Sequence, residues 1–327
     1  MENLPHPLAP PPWGDGRPKS GLATRLALFA KILVSAALII FLSRKLDWDV
    51  VGSRLAAAKP SPLIGGVMLM VGTIVCAAWR WRLLVRHADA PLGMVMAVQL
   101  TFAGMFFGQV LPATVGGDVV RGVLACRTGL PWRGVVSGIV LDRITALLAS
   151  IILIFAGLPW LAARAVGTSA PLLWTGLASG ALIVLIAVAL TLDRIPLPHW
   201  LARQSWLVSM QALVGQIRRG LASKSGVAAL AISLVIHLTT VAIVILIGQS
   251  LGITIPLLAG FLVVPLAIFA AAVPVSLNGW GIREGVMVTG FALFGIGAGD
   301  ALLVSVILGV SVIISVLPGS LTWVTLQ

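Results

Sequence analysis

The chain has 327 residues, of which 59% are hydrophobic and 10% charged, with a mean hydropathy of +1.09. Soluble domains carry about 25% charged residues, so a soluble globule is excluded. The net charge of +12 would suggest nucleic acid in a soluble protein. Here the basic residues sit mostly in short connections between apolar runs, where membrane proteins set their orientation. No nucleic-acid partner is expected, and the partner of that charge is the anionic lipid headgroup.

In chain order, residues 1–20 (MENLPHPLAPPPWGDGRPKS) are Pro-rich and polar and predict a disordered tail. They are not a signal peptide, because the apolar run from Leu22 is too long and no small-residue cleavage site follows it. The rest, 21–327, reads as one polytopic membrane domain. A spanning helix needs about 20 apolar residues. The runs that qualify are 22–43, 61–79, 92–111, 135–158, 171–191, 225–249, 254–273 and 299–322. Two further pieces, 117–127 and 283–296, are too short to cross alone at about 1.5 Å per residue. The expected fold is an all-α integral membrane protein with about eight spanning helices plus two short broken or re-entrant segments.

Within 199–222, Leu207, Met210, Val214, Ile217 and Leu221 recur at three and four residues and form one apolar stripe, with Arg203, Arg218 and Arg219 mostly off it. That pattern fits an amphipathic helix lying on the membrane, and it also fits a connector packed on the protein. Trp48, Trp79, Trp81, Trp132, Trp160, Trp174 and Trp323 fall near ends of apolar runs, as interfacial anchors do. Cys76 and Cys126 read as free thiols. Counting charges loop by loop over eight spans puts 44–60, 112–134 and 192–224 together on the more basic, cytoplasmic side.

The chain also repeats. Phe107–Arg121 reads FGQVLPATVGGDVVR and Phe269–Arg283 reads FAAAVPVSLNGWGIR, so Phe, Pro, Gly and Arg recur 162 residues later. The same offset carries 61–79 onto the span at 225–249 and 135–158 onto 299–322. Internal duplication is expected, with halves of about 21–165 and 166–327. Gly/Pro-interrupted segments at matching positions of two halves point to a transporter's binding site. Unwound backbone survives at membrane depth only where protein or a polar cavity covers it, so Pro112 and Pro274 should mark breaks that face the interior.

Of the 10 acidic residues, few lie in apolar surroundings: Asp118, Asp142 and Glu284, with Arg121, Arg143 and Arg283 beside them. A charge at the centre of a spanning helix costs about 2.5–3.5 kcal/mol and needs a partner or a polar cavity. Asp118 and Arg121 share a helical face at i,i+3. Asp142–Arg143 and Arg283–Glu284 are adjacent, point in different directions and should seek partners elsewhere. Two readings stand side by side: structural pairs holding the halves together, or arginines that engage a phosphate through their forked donors. The candidate substrate-binding set is Gly116, Gly117, Asp118, Arg121, Asp142, Arg143, Asn278, Gly279, Trp280, Gly281, Arg283 and Glu284. Trp280 reads equally as a stacking residue or an interfacial anchor. His237 and the glutamines Gln99, Gln109 and Gln249 read as interhelical hydrogen bonders.

The segments LPATVGGDVVRG, GIVLDRITALL and PVSLNGWGIREG resemble the signature regions of a flippase-like membrane family. That family includes the transmembrane region of lysylphosphatidylglycerol synthases. The matching residues are Pro112 to Arg121, the pair Asp142–Arg143, and Pro274 to Glu284. The resemblance implies movement of an anionic or aminoacylated phospholipid, or a polyprenyl-linked lipid, between leaflets of a bacterial inner membrane. It does not imply aminoacyl transfer, which in full synthases sits in a soluble domain after the membrane region. No enzyme activity, no cofactor and no metal is therefore expected. No GxxxxGK[ST], GxSxG or HExxH motif occurs. The alternatives are a membrane-embedded lipid-modifying transferase, or a membrane subunit that supports a separate lipid synthase or glycosyltransferase.

Overall fold

The computed structural model describes residues 48–110, 116–164, 204–272 and 278–325, with isolated positions at 33, 40, 41, 44, 180, 191 and 194. The expected tail 1–20, nearly all of the expected spans 22–43 and 171–191, and both Pro112 and Pro274 lie outside the described residues. The described chain is helical and contains no strand. Its elements are α1 (Trp48–Ala56), α2 (Pro60–His87), α3 (Met94–Val110), α4 (Gly116–Arg127), α5 (Trp132–Arg164), α6 (Ser205–Ala222), α7 (Lys224–Ser250), α8 (Leu257–Ala272), α9 (Ile282–Ala292), α10 (Ala298–Val316) and α11 (Pro318–Thr325).

Among the described residues, four stretches are long and apolar enough to cross a membrane: Pro60–His87, Trp132–Gly157, Lys224–Ser250 and Ala298–Thr322. Proline shapes two of their ends. Pro60 opens α2, where its missing N–H is not needed, and Pro318 separates α10 from α11.

The pairing of helices fixes their directions. At one end of α2, Lys59 donates its amide to the Ser250 carbonyl at 2.8 Å and Ser250 Oγ donates to the Lys59 carbonyl at 2.7 Å. Nearer the other end, Arg80 donates to Ser233 Oγ at 3.0 Å. α2 and α7 are therefore antiparallel. α5 is antiparallel to α2 as well, since Gly138 lies against Val85 and Gly134 against Ala88. His87 and Trp132 thus share a face of the protein, and the chain between them must leave and regain it. α3 and α4 do this as a hairpin, with Gly104 and Gly108 packed on Gly117.

The second half has the same order. α8 and α9 lie between the Ser250 end of α7 and the Ala298 start of α10, on the opposite face. Arg54 of α1 ties that face together through Asp300 and the Gly252 carbonyl, each at 3.0 Å. The sequence short helix, long helix, hairpin, long helix occurs twice, at an offset close to that of the motif. Because the equivalent helices α2 and α7 run antiparallel side by side, the axis relating the halves is perpendicular to them and lies in the membrane plane. A duplication relating these halves would be of the inverted kind.

Two expectations are corrected. Runs 92–111 and 254–273 are not full spans. Their helices Met94–Gln109 and Leu257–Ala272 fall short of crossing length and form the first arms of hairpins. The loop grouping changes for the same reason: 44–60 lies on the face opposite 127–134, so the face of His87 and Lys224 collects Arg86, Arg127, Arg133 and Arg219. At the end of helix α6, Ile217 and Leu221 pack with Leu84, Leu141 and Ala229.

Candidate functional site

The hairpins reach toward each other. At about 1.5 Å per residue, α3 descends roughly 25 Å from one face and α8 rises roughly 23 Å from the other. The 28-residue α2 is only about 42 Å long at the same rise. The tips must meet near the middle, and they do: Asn278 Nδ2 donates to Gln109 Oε1 at 2.7 Å. The backbone chemistry of the tips explains the glycines. A Cβ at Gly104 would lie 2.7 Å from the Gly117 carbonyl oxygen, so α3 and α4 approach closely only because both positions are bare. At the second tip, Asn278, Gly279 and Gly281 have φ of 49°, 80° and 90°, the left-handed region that glycine and asparagine tolerate.

Under the first tip lies a chain of alternating charges. Arg143 Nε binds Asp118 Oδ2, and Asp118 Oδ1 accepts from Arg121 Nη2 at 2.8 Å. The same Arg121 nitrogen reaches Asp142 Oδ2 at 2.8 Å, and Asp142 Oδ1 accepts from Arg80 Nε at 2.6 Å. Arg80 ends the chain on Ser233 of α7. Helices α2, α4, α5 and α7 each contribute. Arg121 also lies 4.7 Å over the Trp81 ring, a cation–π contact that strengthens when water is excluded.

The cluster holds three guanidinium groups and two carboxylates that they share, so it carries one net positive charge. Arg80, Arg121, Asp118 and Asp142 are buried, but the Arg143 side chain is 54% exposed. Among the described residues, its terminal nitrogens take no protein partner. Arg143 lies 11 residues into α5, about 16 Å from the helix start at this rise, within a hydrocarbon layer about 30 Å thick. A cavity of about 270 Å³ opens here, bounded by Arg80, Thr101, Asp118, Arg121, Asp142 and Arg143, with Asn278 from the other half. Thr101 Oγ1 and Arg121 Nε are buried without a hydrogen-bond partner among the described residues, and so is Trp81 Nε1 behind them. Each can donate, and buried donors of this kind are normally satisfied by a ligand, water or protein acceptor.

The predicted set therefore divides. Gly117, Asp118, Arg121, Asp142, Arg143 and Asn278 line the cavity, while Gly116 is buried at the start of α4. Gly279, Trp280, Gly281, Arg283 and Glu284 do not line it. Arg283 and Glu284 were expected to seek partners elsewhere, yet they bind each other, and Ser305 of α10 closes the cluster by donating to Glu284 Oε1 at 3.1 Å. Glu284 Oε2 also accepts the Gly281 amide at 2.6 Å, capping α9. Trp280 is neither a free stacking surface nor an anchor: its ring lies 4.9 Å from the Arg283 guanidinium and rests on Gly309, whose missing side chain makes the room.

Sequence reading missed Arg80, Trp81 and Thr101. Arg80 looked like the end of a span, but α2 continues to His87 and Trp81 is fully buried rather than interfacial. The signal was the apolar Leu83, Leu84 and Val85 beyond the arginine. His237 does bond another helix, with Nε2 3.1 Å from the Ala146 carbonyl oxygen.

Helices of membrane-crossing length, hairpin tips that meet and a charged cavity beside the tips define a multi-pass α-helical membrane protein. The chain belongs to the family of the lysylphosphatidylglycerol synthase transmembrane region, whose sequence profile matches residues 28–319. This makes it a membrane protein related to lipid modification or transport. No curated protein and no solved structure matches the chain.

Proposed function

We propose that this protein carries an anionic phospholipid between the leaflets of a bacterial inner membrane, with the headgroup phosphate bound at the Arg143 end of the charge chain. The observation that carries the reading is the half-exposed Arg143, which donates its Nε–H to Asp118 and leaves its remaining donors toward the cavity. A guanidinium exposed at this depth is costly in lipid and is stabilised by a phosphate, whose oxygens match the guanidinium fork. Asp118 competes for the same donors when no lipid is bound, so entry of a headgroup exchanges a carboxylate for a phosphate. The second cluster, Arg283–Glu284, serves as a closed strut that supports the tip bearing Asn278.

In this reading the protein is a transporter and not an enzyme, and the lipid leaves unchanged. The test is leaflet exchange of fluorescent phosphatidylglycerol in proteoliposomes. Arg143→Ala should abolish exchange that the surface variant Arg219→Ala leaves intact. Equal exchange by both variants, or a covalently altered lipid, would refute the reading.

A further inference from the structure

Asp118 borders a second depression, of about 320 Å³, between α4 and α5. Its α4 wall is Val119, Gly122, Val123 and Cys126, spaced i, i+3, i+4 and i+7, which is one face of the helix. Val136 and Val140 face them from α5. Apart from the Asp118 edge the walls are apolar. The groove is deep because Gly122 has no side chain: a Cβ there would lie 3.0 Å from Ile139 Cδ1. Val119 and Val123 at its rim are exposed.

What distinguishes this groove from any lipid-facing surface is where it ends. Arg143 is the next position on the same face of α5 after Ile139 and Val140, so the groove runs directly into the half-exposed guanidinium and the carboxylate it holds. From Asp118 to Cys126 the groove extends about 12 Å at the helical rise, toward the basic face. A polar cavity and an apolar groove that share Asp118 match the two parts of one amphiphile. Ligand pockets usually measure about 300–1,000 Å³, and each compartment alone lies near the bottom of that range.

We propose that the groove is an acyl-chain subsite: it holds one chain of the anionic lipid whose phosphate sits at Arg143. This rests on the headgroup reading given above and adds the pose. A lipid at rest in the leaflet of the basic face keeps its head at the surface and its chain ends at the midplane. In the groove that order is reversed, with the head at mid-depth and the chain toward the basic face. A lipid of the opposite leaflet reaches this pose by sliding along the membrane normal without turning over. The bound lipid is a transit state drawn from that leaflet.

Cys126 supplies the reporter. The full chain carrying Cys76→Ser keeps a single thiol, and it is placed in nanodiscs of phosphatidylcholine with or without long-chain phosphatidylglycerol. Phosphatidylglycerol should slow maleimide labelling of Cys126 about fivefold, in proportion to occupancy. Arg143→Ala should remove that difference, and Val136→Phe, which fills the groove, should do the same. Dihexanoyl phosphatidylglycerol, whose chains are too short to cover Cys126, should raise the melting temperature without slowing labelling. Labelling that ignores phosphatidylglycerol, while dihexanoyl phosphatidylglycerol still stabilises the protein, overturns the groove and leaves the headgroup site standing. Absence of both effects removes both. Protection that follows protein concentration instead of lipid composition assigns the groove to a second copy of the chain and also overturns the proposal.

Discussion

Asp142→Asn tests whether the charge chain holds the halves together. Asp142 is 3% exposed and accepts from Arg80 at 2.6 Å and from Arg121 at 2.8 Å. After the substitution Arg121 keeps Asp118, but Arg80 retains only the Ser233 hydroxyl. Removing one partner of a buried ion pair costs about 3–5 kcal/mol, because the other charge is left uncompensated. The amide oxygen still accepts one bond, which places the loss near the lower figure. Domains of 150–250 residues lose about 2–4 °C per kcal/mol, so the melting temperature should fall on the order of 10 °C. Tryptophan fluorescence of the protein in nanodiscs reads this. Replacing both ends together, Arg80→Met with Asp142→Leu, should recover most of the loss, since an apolar pair of similar volume leaves no stranded charge. If Asp142→Asn melts within about 2 °C of the parent, the uncompensated-charge argument is wrong.

Gly117→Ala should separate α3 from α4, because its Cβ would collide with the Gly104 carbonyl group; we expect a loss of several kcal/mol, on the scale of core overpacking, read as reduced folded yield on size exclusion. Cysteines at positions 109 and 278, in a chain lacking Cys76 and Cys126, should be joined by a short bis-maleimide and should arrest lipid exchange, whereas uncoupled protein remains active. Gly93→Cys and Gly297→Cys lie in exposed positions on opposite faces. In sealed, uniformly oriented vesicles, an impermeant maleimide should label one of them and spare the other; labelling of both would contradict the inverted arrangement.

Much of this fold is visible in the residues because its devices are local. Pro and Gly interrupt apolar runs at 112–117 and 274–281, and the motifs that begin at Phe107 and Phe269 share their spacing. Whether an apolar run such as 92–111 crosses or turns back is not local: it depends on the antiparallel contact of α2 with α5. That is why 92–111 read as a span, and why the loops were sorted to the wrong faces. The site shows the same division. Asp118 and Arg121 pair at i,i+3, which a helix dictates, but Arg80 meets Asp142 across 62 positions. A window average registers Arg80 only as the place where hydropathy drops. The motif likeness of Arg121 and Arg283 also concealed a difference, because the position equivalent to Asp142 is Val304, so the second half cannot build the same charge chain.

The antiparallel pairing of α2 and α7 bears on how such a gene arises. If the two halves share descent, they sit upside down with respect to each other, and their ancestor would have entered the membrane in both orientations before the copies were joined. A single unit with few and balanced charges inserts either way, and a pair of them can associate tip to tip as a homodimer. Fusion then fixes each copy in one direction and frees the two to diverge. Arg80, Arg143, Asp118 and Asp142 gathered in one copy, while the other kept the glycines and a self-paired Arg283–Glu284. The asymmetry of the cavity is what a symmetric ancestor could not possess.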